Sequence, residues 1–291
     1  MTSMGGDRRT LHDRIVDRSV TRIGGGDTRL DAVVVEEPLE IRVAGEPLAV
    51  TMRTPGDDHH LAVGFLFAEG VIAGFGDVGG VAHCGRPGEE GFGNVVDVTP
   101  APGLVLDPDA LLQSRRGSLT TAACGLCGRR TIADLLARLG PVPADPRLPL
   151  DLLRDSTDRL RQWQPAFQRT GGLHAAAVLA LDGAPLAVAE DVGRHNAVDK
   201  VIGALLYERV VGAGTRLDVQ RPAVLAISGR TSFEMVQKAA AAGVGAVASV
   251  SAPTSLAVDL ADALGLVLAG FVRGGHLNLY SHAERVTDRG P

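Results

Sequence analysis

Three cysteines among 291 residues are too few for a secreted disulfide framework, and two of them, Cys124 and Cys127, form a C-x-x-C while Cys84 stands alone. Thiol chemistry or a metal is the natural use. No apolar run is long enough to span a bilayer, and the first 30 residues are charged and glycine-rich, without the apolar core of a secretion signal. The expectation is a cytoplasmic protein without membrane contact. Aromatic residues are scarce, at 3%, and the net charge is -5, so the chain has neither stacking platforms nor a basic surface for nucleic acid. Lysine occurs only at Lys200 and Lys238, leaving arginine to supply the other 27 of the 29 basic residues. That scarcity removes the phosphate-binding G-x-x-x-x-G-K-[ST] loop, and Gly243-Val244-Gly245 closes a helical pattern where a dinucleotide fingerprint would open one. Any anion site must therefore use guanidinium groups and backbone N–H.

What is present divides into three stretches: a flexible N-terminus over 1–30, a smaller α+β domain over 31–149, and an α/β domain over 150–291. In the second, "AVVVEEPLEIRVAGEPLAVTMRT" alternates as two strands around an Ala44-Gly45-Glu46-Pro47 turn, and Asp57 or Asp58 can cap a helix carrying Leu61, Phe65, Leu66 and Ile72. Residues 74–94 are dense in glycine and read as turns around Cys84. "NVVDVT" is a strand, Pro108 opens a short helix, and the C-x-x-C falls on a loop. Behind that loop, Thr131 and Asp134 have capping-box spacing for "TIADLLARL". The proline-rich residues 141–149 make a linker. From residue 150 the pattern becomes helix, hairpin, helix, strand, helix, strand, helix, strand, with Asp182-Gly183 as the hairpin turn and Thr231 with Glu234 as a second capping box. Such alternation calls for a mixed sheet with helices on both faces, whose ligands favour the loops at the carboxyl ends of strands.

Two constellations carry chemistry. In "TAACGLCGRR", Thr121 to Arg130, the cysteines can be half of a zinc site, a dithiol redox pair or a sulfur handle. Zinc needs two more ligands, and a thioredoxin-like pair needs a strand before it and a helix after it. Arg129, Arg130 and the following helix N-terminus favour the thiolate, which can attack a persulfide and take its outer sulfur. The second constellation lies at strand ends. "EDVGRHN" places Glu190, Asp191, Arg194, His195 and Asn196 where a strand passes into a helix, and "SGRTSFE" does the same with Ser228, Gly229, Arg230, Thr231 and Ser232. A Gly-Ser-Thr turn opening a helix is an anion site, with phosphate the natural guess; the plainer alternative is that Thr231 only caps and Arg230 is a surface charge. "SAPTS" and "RGGHLNLYSH" repeat such polar clusters, with His276, Asn278 and Tyr280 as candidate base contacts. His174, behind two glycines in "TGGLHAAA", reads as a structural histidine.

Together these stretches resemble the formate dehydrogenase accessory sulfurtransferase family, FdhD. The resemblance runs from "EEPLEIRV" and "MRTPGDDHHLAVGFLFAEGVI" through "CGLCG", "FQRTGGLHAAA", "EDVGRHNAVDK" and "SGRTSFEMVQKAA" to "SAPTSLAV" and "GFVRGGHLNLYSH". It implies a C-terminal domain of cytidine-deaminase-like fold and a homodimer. It also implies sulfuration of the bis-molybdopterin guanine dinucleotide molybdenum cofactor for formate dehydrogenase, with a cysteine desulfurase as sulfur donor. Carried onto these residues, Cys124 becomes the persulfide carrier and Cys127 its partner. Phe271, Val272, Arg273, Gly274, Gly275 and His276, with Ser228, Gly229, Arg230, Thr231, His195 and Asn196, would hold the cofactor. Zinc deaminases need H-x-E on one helix and P-C-x-x-C on the next; here the helix starts read His195-Asn196-Ala197 and "SGRTSFE", which excludes a deaminase and any zinc there. Two alternatives stand beside the sulfurtransferase: a cofactor-binding chaperone with structural zinc on the C-x-x-C, and a thiol-disulfide oxidoreductase.

Overall fold

A computed structural model describes residues 14–24, 28–86, 92–106, 139–143, 147–216 and 220–288. The C-x-x-C and the helices expected after Pro108 and Thr131 lie outside them.

The chain begins with a ribbon, β1 (Ile15–Thr21) antiparallel to β2 (Thr28–Val34). Residues 15–21 and 28–30, expected to be part of a flexible N-terminus, lie in this ribbon, in which β-branched Ile15 and Val16 pair with Val34 and Val33. A four-stranded sheet follows, built from β3 (Glu37–Val43), β4 (Glu46–Arg53), β5 (Val78–His83) and β6 (Val95–Pro100) in the order β4-β3-β6-β5. The β3–β4 hairpin forms as expected. The glycine-dense residues 74–94 differ from expectation, because 78–83 form edge strand β5. Gly79 is there for close approach: a Cβ would lie 2.5 Å from the Pro100 carbonyl.

One face of this sheet, with Leu39, Ile41, Val43, Val96 and Val98 inward, packs on helix α1 (Asp58–Glu69). The expected aspartate cap is absent. Asp57 takes a left-handed conformation and its carboxylate accepts Arg14 Nη2 at 2.7 Å, so the side chain is drawn away from the helix N–H groups. Buried Leu61, Val63, Leu66 and Phe67 surround α1 because it lies between this sheet and a helix of the second region, α4 (Arg194–Tyr207).

The second region opens with β7 (Leu148–Pro149), α2 (Leu150–Gln162) and the short α3 (Pro165–Thr170). Next come β8 (His174–Ala180) and β9 (Pro185–Asp191), joined at Asp182-Gly183, then α4 and β10 (Pro222–Ile227). Helix α5 (Phe233–Ala241), β11 (Ala246–Ser249), α6 (Ser255–Leu264), β12 (Val267–Arg273), β13 (His276–Ser281) and β14 (Val286–Thr287) complete the order. Six strands form one mixed sheet, β13-β12-β11-β10-β8-β9, in which only β10, β11 and β12 run parallel.

Period-two alternation sorts its side chains between two cores. Ala176, Val178, Leu225, Ile227, Val247 and Leu268 face the side shared with α4, α5 and α6, while Ala175, Ala177, Leu179, Val224, Ala246, Ala248 and Ala269 face α2. Helices on both faces are the expected arrangement, and burial on both sides is why the central strands read as continuous apolar runs. The first core does not stop at residue 149: Leu39, Leu61 and Val96 belong to the same cluster as Val198, Leu225 and Val236. The proline-rich stretch is tied down where described, since Val142 donates its N–H to the Leu264 carbonyl and β7 pairs with β14.

Candidate functional site

Parallel strands β10, β11 and β12 end on the same edge of the sheet, and the antiparallel pairing of β8 with β10 brings the start of β8 there too. That edge collects Ser228 to Thr231 after β10, Ser251 to Thr254 after β11, Phe271 on β12 and His174 at the head of β8. His174 is therefore not isolated. Its Nδ1 lies 3.4 Å from Ser228 Oγ, and the same Oγ accepts the Ala175 N–H at 2.9 Å. Arg194, leaving the β9–α4 turn, lies over Gly229: a Cβ there would meet Arg194 Cδ at 3.2 Å and His174 Nδ1 at 3.5 Å.

Three polar groups at this edge are buried and reach no hydrogen-bond partner among the described residues: Arg194 Nε, Thr231 Oγ1 and Ser232 Oγ. Thr231 is wholly buried. Leaving such groups unpaired costs about 1–3 kcal/mol each unless something binds them. All three belong to turns that open a helix, where free N–H groups and the helix dipole also favour an anion. The capping box expected of Thr231 and Glu234 does not form. Ser232 is the N-cap of α5 without a side-chain cap bond, and Glu234 is drawn sideways to His195, Oε2 to Nε2 at 2.7 Å. One helical turn below, Lys238 Nζ lies 2.5 Å from both oxygens of Asp199, whose carboxyl burial nevertheless pushes up to about 6. These two rungs fasten α4 to α5.

The other site residues read from the sequence separate by role. Asn196 is buried, donating to the Met52 carbonyl at 2.7 Å and to Asp191 Oδ1 at 3.0 Å and accepting from Thr51 Oγ1 at 3.1 Å, which commits it to the fold. Glu190 accepts the N–H groups of Ala166 and Phe167. Arg230 is exposed. Phe271 is 39% exposed at φ 54°, and its N–H donates to the Ser251 carbonyl, so an aromatic ring is held at the edge on backbone few non-glycine residues adopt. Val272 has its side chain fully buried in the core beneath α2, and its carbonyl accepts Thr157 Oγ1. Arg273 and His276 pair across a two-residue turn in which Gly274 and Gly275 both have positive φ. The run is a tight hairpin.

Sequence reasoning underrated Arg194, Ser232 and His174. Antiparallel pairing of the two strands carrying His174 and Ser228 is the signal that joins them, and periodicity does not show pairing. Burial, and then the Arg194 guanidinium, hold the His174 imidazole below its ordinary range. Protonation at lower pH adds a positive charge beside Arg194. Pyrophosphate binding should accordingly tighten as pH falls below the usual imidazole range, and His174→Gln should flatten that slope in calorimetric titrations.

The class of protein follows from this mixed-sheet fold and strand-end site together with a family comparison: a model of the FdhD/NarQ family matches residues 34–287, and the chain belongs to that family. It is 58% identical to the sulfur carrier protein FdhD of Anaeromyxobacter dehalogenans over 277 residues, 95% of each chain. The sulfur carrier protein FdhD of Mycobacterium tuberculosis is 46% identical over 285 residues, 96% of this chain and 99% of that one. Among solved structures, a chain from Desulfotalea psychrophila assigned as a formate dehydrogenase accessory protein superposes with a TM-score of 0.69 at 24% identity, covering 94% of this chain and 98% of its own. That superposition bears on the fold. No helix among the described residues is long and apolar enough to cross a membrane.

Proposed function

We propose that this chain is a sulfur carrier that takes persulfide sulfur from a cysteine desulfurase and delivers it to the bis-molybdopterin guanine dinucleotide molybdenum cofactor of a formate dehydrogenase, acting as a cytoplasmic homodimer. Membership of the FdhD/NarQ family and the names of its relatives support the sulfur-carrier part. The cofactor part rests on one observation: Arg194 Nε, Thr231 Oγ1 and Ser232 Oγ are buried without partners among the described residues, at two adjoining helix-opening turns. A pyrophosphate group supplies the acceptors these donors lack.

In the proposed cycle the Cys124 thiolate attacks the outer sulfur of the donor's persulfide, and the donor cysteine leaves as its thiolate. Cys127 then attacks the inner sulfur of the Cys124 persulfide, releasing hydrosulfide to the cofactor and leaving a Cys124–Cys127 disulfide. The dithiol supplies the two electrons, and a thiol reductant resets it. Incubation of Cys124→Ala protein with desulfurase and labelled cysteine should leave no protein-bound sulfur by mass spectrometry, whereas Cys127→Ala protein should accumulate it. Full labelling of the Cys124 variant with undiminished sulfur delivery would overturn the assignment.

A further inference from the structure

The corner between β4 and α1 lies apart from the strand-end residues Ser228 to Thr231, yet it is wired to the turn that carries Arg194. Thr54 is wholly buried, and each of its polar groups is used on that turn. Its N–H donates to Asp191 Oδ2 at 3.2 Å, its Oγ1 accepts the Val192 N–H at 3.2 Å, and its carbonyl accepts Lys200 Nζ at 2.8 Å. Asp191 is in turn saturated, because Lys200 Nζ lies 2.7 Å from Oδ2 while Gly193 N–H and Asn196 Nδ2 bond Oδ1 at 2.8 and 3.0 Å. All four acceptor positions of the Asp191 carboxylate are thereby filled. They surround Val192 and Gly193, the two residues that launch Arg194.

We infer that Thr54 is a positioning residue for the anion site: through Asp191 and the Val192 N–H, the first region of the chain sets where Arg194 stands over Gly229. The inference rests on the proposed anion-binding role of that edge. The physical basis is the number of constraints. A turn held at Val192, Gly193 and Asp191 by one threonine and one carboxylate fixes the backbone from which the Arg194 side chain starts. A buried N–H left without its acceptor moves to find another. Thr54→Val keeps the shape of the side chain and deletes the acceptor of Val192, and Thr54→Ser restores it.

Two readouts test this on the full chain. Binding of GDP should weaken about tenfold in Thr54→Val and return to within about twofold of the original in Thr54→Ser, a difference of roughly 1.4 kcal/mol. The second readout needs no ligand. Arg194 helps depress the His174 imidazole, so its displacement in Thr54→Val should raise the His174 titration midpoint followed by NMR, with the serine variant again restoring it. A milder probe, Thr51→Val, removes the bond to Asn196 Oδ1 and should move both readouts the same way by less, which covers a Thr54→Val protein that fails to fold. Unchanged His174 titration in a folded variant overturns the inference. If the original protein binds no GDP, the cofactor reading fails while the His174 titration still decides the positioning role.

Discussion

Gly203→Ala should be among the most damaging single changes the chain can undergo. Helices α1 and α4 cross at Gly64 and Gly203, where a methyl on Gly203 would land on the His60 carbonyl and one on Gly64 on the Asp199 carbonyl. Both obstacles are backbone, so no rotamer change relieves them and the helices must separate. Overpacking a core costs about 1–3 kcal/mol when side chains can shift, and a rigid contact belongs at or above the upper end. The displaced helix carries the rung residues His195 and Asp199 and the packing of Val198, Val201 and Ile202. Urea unfolding should show a loss of at least about 3 kcal/mol. Gly76→Ala, whose Cβ meets nothing within 4 Å, should stay within about 0.5 kcal/mol of the original. Equal stability of the two variants would contradict this account of the helix crossing.

Arg53→Met should have a comparable effect by an electrostatic route. Arg53 is fully buried and grips Asp58, also fully buried, with Nε to Oδ1 at 3.0 Å and Nη2 to Oδ2 at 2.9 Å. Its remaining donors reach Glu37 Oε2 at 3.2 Å, the Gly93 carbonyl at 2.9 Å and Asn94 Oδ1 at 3.3 Å. Truncation leaves a carboxylate in the interior without its partner, a change that costs about 3–5 kcal/mol. Arg53→Lys retains the charge but cannot reproduce a planar fork, so it should recover only part of the loss. Neutralising the stranded group in Arg53→Met/Asp58→Asn should recover more than the lysine does. Denaturation midpoints of the four proteins check that order, and a lysine variant as stable as the original would remove the role given to the fork.

Much of the sheet was legible because its chemistry is local or repetitive. Asp182-Gly183 between two apolar runs announces a hairpin, and strands buried on both faces write themselves as unbroken alanine, valine and leucine. The misses share a cause in partners distant along the chain. Asp57 has the right type and place for a cap but is claimed by Arg14, 43 positions earlier. Thr231 and Glu234 have capping-box spacing, yet Glu234 answers His195 on another helix. Glycine at 79 suggested a turn because its real reason, the neighbouring Pro100 carbonyl, belongs to a different strand. The site divides the same way. The Gly-Ser-Thr turn after β10 could be picked out from its residues, whereas the guanidinium and imidazole beside it are assembled by topology. A motif marks a stretch while strand alternation sends neighbours to opposite faces, which is why Phe271 is exposed and Val272 buried.

The core cluster that crosses residue 149 bears on how this protein can change over generations. Leu39, Leu61 and Val96 share one hydrophobic cluster with Val198, Leu225 and Val236. Genetic exchange at the proline-rich stretch would thus deliver a half-built interior, with the α1 glycine facing a helix that has not evolved to receive it. The two regions are inherited as a pair, and a lineage can retune one only while keeping the shared packing that serves the other.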